Sequence, residues 1–177
     1  MDMTLITILT SIFQVFSVSL GVGSSTLAIT NFFVAIADGK IDETERRMMG
    51  VVYVVLRIAM VAILITTLIL FVLDFMQAGN LSALSDFTYA FLIPLTVLFI
   101  NAVLMTLHLM PSTFGPSIQA GSWYTLGTLM ALKSLGITDF SLTIFLLAYV
   151  TWLVLATSIV NGIMAILKAH KHGLLKK

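Results

Sequence analysis

Arg57 has the most unusual setting of any residue in the chain, because it lies nine residues inside an uninterrupted apolar segment. An arginine within a membrane costs roughly 2.5 kcal/mol or more unless it meets water, a partner or a ligand. No acidic residue lies at a comparable depth in the sequence. Tyr53, one helical turn earlier, could orient the guanidinium through its ring face or its hydroxyl. The pair predicts a site for an anion, the alternative being an arginine that snorkels to water or to a lipid phosphate.

Three asparagines lie in other apolar segments, and their amides need partners there. Counted from the predicted cytoplasmic ends, Asn31, Asn101 and Asn161 lie within about two helical turns of the depth of Arg57. Either hydrogen bonds between helices or a shared polar cavity would satisfy them. We therefore predict that Asn31, Tyr53, Arg57, Asn101 and Asn161 surround a cavity open to the cytoplasm that binds or transports an anion or small polar ligand.

The segments that must position these side chains are long and apolar. They cover 4–37, 48–73, 87–109, 116–135 and 140–167, in a chain that is 59% hydrophobic with a mean hydropathy of +1.11. Each is long enough to cross a hydrocarbon core of roughly 30 Å as an α-helix. The pattern predicts an all-α, five-span transmembrane helical bundle that forms a single integral membrane domain over 1–177.

Polar and small residues follow a helical spacing in the first two segments. The first carries Gln14, Ser17, Gly21, Ser24, Ala28, Asn31, Ala35 and Asp38 on one face. The second carries Arg46, Gly50, Tyr53, Arg57, Met60, Leu64, Thr67, Phe71 and Asp74 on one face. We expect both faces to point into the bundle. The first favours one continuous helix over two short passes broken at 21–25, with Gly21 and Ser24 in a packing seam.

The basic residues predict the orientation. Seven lie on one side of a five-span topology, namely Lys40, Arg46, Arg47, Lys168, Lys171, Lys176 and Lys177, whereas Lys133 is alone on the other. The positive-inside rule then places the N-terminus outside and the C-terminus in the cytoplasm. The expected location is the cell membrane, which is the cytoplasmic membrane in a prokaryote. A net charge of +1 argues against nucleic-acid binding.

His108 suggests a second class of function. It lies inside the predicted third span, with Met105 and Met110 nearby, and such a mixture suits copper or could supply a haem ligand. A membrane redox subunit that holds haem, quinone or copper is therefore an alternative. The competing interpretation is an interfacial histidine beside the helix-ending Pro111. The chain has no cysteine, which excludes thiolate metal sites.

The only acidic cluster lies between the first two segments. Asp42 and Glu45 have the spacing of a helix N-cap and its third residue, which predicts a capping box. Weak binding of a divalent metal is the alternative.

Other classes of function have less support in the sequence. No serine, histidine and carboxylate set converges and no pair of carboxylates lies within a span, so the chain does not favour an enzyme. A homo-oligomer or a structural subunit of a larger membrane complex stays open.

Several short motifs resemble an uncharacterised family of small five-span prokaryotic membrane proteins. They are Gly21-Val22-Gly23 with Thr26, Phe32-Phe33, Asp38-Gly39-Lys40-Ile41 with Glu45, and Ser122-Trp123-Tyr124. The resemblance implies the five-span architecture and no particular activity.

Overall fold

The computed structural model describes residues 3–38, 42–111 and 113–171. They form five α-helices: α1 (Met3–Asp38), α2 (Glu43–Ala78), α3 (Asp86–Thr106), α4 (Gly115–Ser134) and α5 (Leu142–Lys171), with a short 3₁₀ helix (Leu81–Ala83) before α3. This part of the chain contains no strand. The predicted all-helical class is confirmed.

Four of these helices are long and apolar enough to cross a membrane. Within the described residues they are Met3–Ala35, Glu43–Ala78, Asp86–Thr106 and Leu142–His170, and α4 does not reach the same hydropathy. Four such helices indicate a membrane protein.

α1 is a single helix that runs through the glycine- and serine-rich stretch at 21–25, so the continuous form is confirmed. It packs against α2 in an antiparallel hairpin, where the Gln14 amide donates to the Thr67 hydroxyl at 3.1 Å. Gln14, Ser17, Gly21 and Ser24 are buried, as the stripe predicts, and Ser25 beside them is also buried. Ser24 satisfies its hydroxyl within its own helix, by donating to the carbonyl oxygen of Leu20 at 2.6 Å.

The ends of α2 and α3 differ from the limits of the apolar runs. The predicted capping box is present, with the Asp42 carboxylate accepting from the Glu45 N–H at 2.6 Å, and it starts α2 at Glu43 rather than at 48. The charged first turn therefore belongs to the helix. α3 ends at Thr106 rather than at 109, because His108 adopts a left-handed conformation with φ of 58°.

α4 is the central helix of the bundle. It contacts α1, α3 and α5, and its buried polar side chains pair with those neighbours. The Ser117 hydroxyl lies 3.0 Å from that of Thr157, and the Ser122 hydroxyl lies 2.8 Å from that of Tyr149. Residues 115–123 are largely buried by protein and need no apolar exterior, which accounts for part of the modest hydropathy of α4.

Trp123 of α4 occupies the middle of the core and is fully buried. Gly21 of α1 packs directly against its six-membered ring, where a Cβ would overlap Cζ3, Cε3 and Cη2. Gly21 therefore lets the two helices approach closely, the role expected of the packing seam.

Candidate functional site

A cleft of about 300 Å³ lies at the end of the bundle where α1 ends, α2 begins, α3 ends and α4 begins. Its lining consists of Ser25, Ala28, Ile29 and Phe32 from α1, Tyr53, Leu56, Arg57 and Met60 from α2, Ala102, Met105 and Thr106 from α3, and Pro116 and Gln119 from α4. The size is at the lower end of the range for small-molecule sites.

The two residues singled out on α2 both line the cleft, at the margin of the buried face. That face is centred on Leu56, Ile63 and Leu70, whereas Tyr53 is 47% exposed and Arg57 is exposed. The predicted stripe is thus rotated from the observed face, and only part of it points into the bundle. The exposed margin leaves the guanidinium accessible from the cleft.

Arg57 lies closer to the end of the bundle than its position in α2 suggests. It is about 21 Å along α2 from Glu43. However, the same cleft is lined by Thr106, the last residue of α3, and by Pro116 in the first turn of α4. Arg57 therefore lies at the level where α3 ends and α4 begins. The sequence overestimates the depth of Arg57 because the first turns of α2 extend past the level at which α3 ends and α4 begins.

Three hydrogen-bond donors of the cleft lack good acceptors. Among the described residues, Arg57 forms no ion pair and no side-chain hydrogen bond, and no Asp or Glu lines the cleft. Ser25 also lines the cleft, and no hydrogen bond of its hydroxyl is described in this part of the chain. The Gln119 amide nitrogen reaches only the Met60 sulfur at 3.7 Å, and a thioether is a weak acceptor. An acceptor-rich, negatively charged group would satisfy all three.

Asn101 lies behind the cleft and holds Gln119 in place. Its amide nitrogen donates to the Gln119 Oε1 at 3.0 Å and to the carbonyl oxygen of Gly115 at 3.0 Å. It is 2% exposed, and its Oδ1 is buried without a partner in the described residues. Because Asn101 occupies the Gln119 oxygen, the Gln119 amide presents its nitrogen to the cleft.

Asn31 and Asn161 are not among the lining residues. Asn31 is half-buried, about a third of a turn around α1 from the lining face. α5 supplies no lining residue, and in the described structure α2 and α5 make no close backbone contact, so Asn161 lies apart from the cleft that Arg57 lines. The number of residues from a helix end gives the depth of a side chain in the membrane but not the direction in which it points around the helix axis. The five residues were predicted to share a cavity from their depth alone.

Ser25 and Gln119 are the two hydrogen-bond donors of the proposed site that the sequence did not predict. Ser25 does not belong to the regularly spaced stripe of α1, which contains the neighbouring Ser24 instead. Gln119 lies in the least apolar of the five helices, and that low hydropathy is the signal that could have identified it.

His108 lies outside α3, exposed, at the turn that follows it. The Leu109 N–H donates to the Leu104 carbonyl oxygen at 2.9 Å and the His108 N–H to that of Met105 at 3.1 Å. This is a Schellman motif with histidine where glycine is usual. The described residues contain no group of three or more His, Asp or Glu able to hold a metal ion. Met105, grouped with His108 in the sequence, lines the cleft instead.

Comparisons with protein-family models, curated proteins and solved structures find no match to this chain. The resemblance to a five-span family therefore stays a prediction, and the chemistry of the cleft rests on its own residues.

Proposed function

We propose that the protein is a five-span membrane protein whose cleft binds an anion, or the anionic end of a small ligand, from the cytoplasmic side. The observation that carries the proposal is the set of three donors, on Arg57, Ser25 and Gln119, that line one cleft without a carboxylate. A guanidinium presents several N–H donors in a planar fork that matches phosphate and carboxylate oxygens. Partial enclosure by apolar walls strengthens that attraction relative to bulk water.

α4 is the fifth span in this proposal. Its 20 residues extend about 30 Å, the thickness of a bilayer core. Its first half, 115–123, is largely buried among other helices and so keeps its polar residues away from lipid, whereas Tyr124 and Thr128 in the second half are exposed. The cleft then lies at the end that carries Arg46, Arg47 and Lys168, opposite Lys133, which is the cytoplasmic end by the positive-inside rule.

Transport would need a second opening at the other end of the bundle. A pocket of about 40 Å³ lies there, lined among others by Gln14, Thr67, Asp74 and Lys133. The apolar core residues Ile63 and Trp123 come between the two pockets along their helices. The structure therefore supports binding most directly.

Calorimetric titration of the full chain with inorganic phosphate, in an uncharged detergent, tests the proposal. Arg57→Gln should weaken binding about 10- to 100-fold, the effect of losing a charged hydrogen-bond donor. Arg46→Gln is the matched control, since Arg46 is exposed on the same helix outside the cleft. Equal weakening by both variants, or no binding by the native chain, would contradict the proposal.

Thiol labelling tests the five-span topology in a chain that lacks cysteine. In sealed vesicles, a membrane-impermeant reagent should reach Met3→Cys from the outside and Lys168→Cys from the cytoplasmic side. Labelling of both from one side would mean an even number of spans.

A further inference from the structure

We infer that the ligand is an amphiphile, an anionic phosphate or carboxylate headgroup with an attached acyl chain, which enters from the bilayer between α2 and α3. The inference rests on the proposed function and specifies its ligand class.

The helix arrangement makes the cleft a lateral window. Contacts between α2 and α3 are sparse compared with those that α1 makes with α2 or α3 makes with α4, and α2 makes no close backbone contact with the central α4 in the described structure. At the far end α2 and α3 come together, where the Thr88 hydroxyl lies 3.4 Å from the Asp74 carboxylate. Toward the cleft they leave a gap whose floor is formed by Pro116 and Gln119 of α4.

The rim of this gap is exposed on both sides. Arg57 on α2 and Thr106 on α3 are both exposed and both line the cleft. A gap between two perimeter helices opens toward the surrounding lipid rather than only along the bundle axis. A ligand that resides in the bilayer can therefore reach Arg57 without leaving it.

The apolar walls of the cleft fit an acyl chain better than they fit a free inorganic ion. Apart from Arg57, Ser25, Gln119, Tyr53 and Thr106, the lining is hydrophobic and includes two methionines and a phenylalanine. Met side chains adapt to flexible apolar partners. A site for a free inorganic anion would gain nothing from this apolar surface, whereas an acyl chain would bury against it.

The level of Arg57 matches that of a lipid headgroup. α3 is about 31 Å long, close to the thickness of the hydrocarbon core, so its end marks the headgroup region if it spans the bilayer. Arg57 lies at that end. A phosphate there would contact the guanidinium while its chain extends along the gap into the hydrocarbon.

Titrations of the full chain in dodecyl maltoside separate the two sources of an anionic group. The probes are inorganic phosphate, dihexanoyl phosphatidic acid and, as the zwitterionic control, dihexanoyl phosphatidylcholine. We expect phosphatidic acid to bind at least about 10-fold more tightly than phosphate, because several buried methylenes contribute. Arg57→Gln should weaken both anionic ligands, whereas Arg46→Gln should not.

Ala102→Leu probes the apolar wall without changing any charge. Ala102 is half-buried and lines the cleft, so the larger side chain should weaken phosphatidic acid at least about 5-fold more than it weakens phosphate. If this variant does not fold, the comparison of the three probes on the native chain decides alone.

The other possible results exclude either the amphiphilic ligand or anion binding altogether. Equal affinity for phosphate and phosphatidic acid would overturn the amphiphile and leave anion binding intact. Equal affinity for the zwitterionic and acidic lipids, unaffected by Arg57→Gln, would mean only apolar lipid contact and would overturn both. Absence of binding by every probe would also overturn both.

Discussion

Replacing Gly21 with alanine should destabilise the protein through one defined contact. The new Cβ would overlap three carbons of the Trp123 indole, whereas ordinary contacts are 3.4–4 Å. Relief requires a displacement of about 1 Å by the ring or by α1. The ring cannot move easily because it is fully buried in the main hydrophobic core.

Gly23→Ala provides the matched control for this substitution. Gly23 is on the same helix, is exposed, and has no neighbouring atom within 4 Å of the position that an added methyl group would take. Both substitutions gain a similar helix propensity, roughly 0.5–1 kcal/mol. The difference between the two variants therefore isolates the packing cost, which should be about 1–3 kcal/mol, the range for overpacked cores.

The assay is equilibrium unfolding by sodium dodecyl sulfate in mixed micelles with dodecyl maltoside. A double variant with Trp123→Phe removes the outer ring atoms, so its cost should fall short of the sum of the single costs by about 1 kcal/mol or more. Equal stability of Gly21→Ala and Gly23→Ala would refute the close approach of α1 and α4 at this point.

Two further stability predictions concern helix ends. The Asp86 carboxylate accepts from the Leu142 N–H at 2.9 Å and so caps α5 from the start of α3; Asp86→Ala should cost about 0.5–2 kcal/mol, whereas Asp139→Ala, at an exposed position with no described hydrogen bond, should cost little in the same unfolding assay. His108→Gly should stabilise the protein by about 1 kcal/mol, since glycine adopts the left-handed conformation without strain. A loss of stability in that variant would show that the histidine side chain makes a contact more valuable than the strain it causes.

The sequence predicted the helices well where a membrane constrains the side chains strongly. The regular stripe on α1 predicted one continuous helix, because the polar and small residues keep their helical spacing through the glycines and serines at 21–25. The capping box could be read directly from Asp42 and Glu45. The end of α3 could not be predicted, because a histidine takes the left-handed position in which glycine is usual, and no local sequence signal indicates that conformation.

The site was predicted only in part, for a geometrical reason. Tyr53 and Arg57 line the cleft, and Asn101 acts behind it through Gln119. Which helices become neighbours depends on contacts between distant parts of the chain. The sequence did not show that α4 occupies the centre of the bundle or that α5 lies away from α2, and that arrangement decides which polar groups share the cleft.

The proposed ligand should be visible in an experimental density map of the protein in lipid nanodiscs that contain phosphatidic acid. We expect headgroup density within about 3 Å of the Arg57 guanidinium, the Ser25 hydroxyl and the Gln119 amide nitrogen, at ordinary hydrogen-bond distance, with acyl-chain density in the gap between α2 and α3. A well-resolved cleft that holds no such group, with the Arg57 side chain turned away into bulk water, would contradict it.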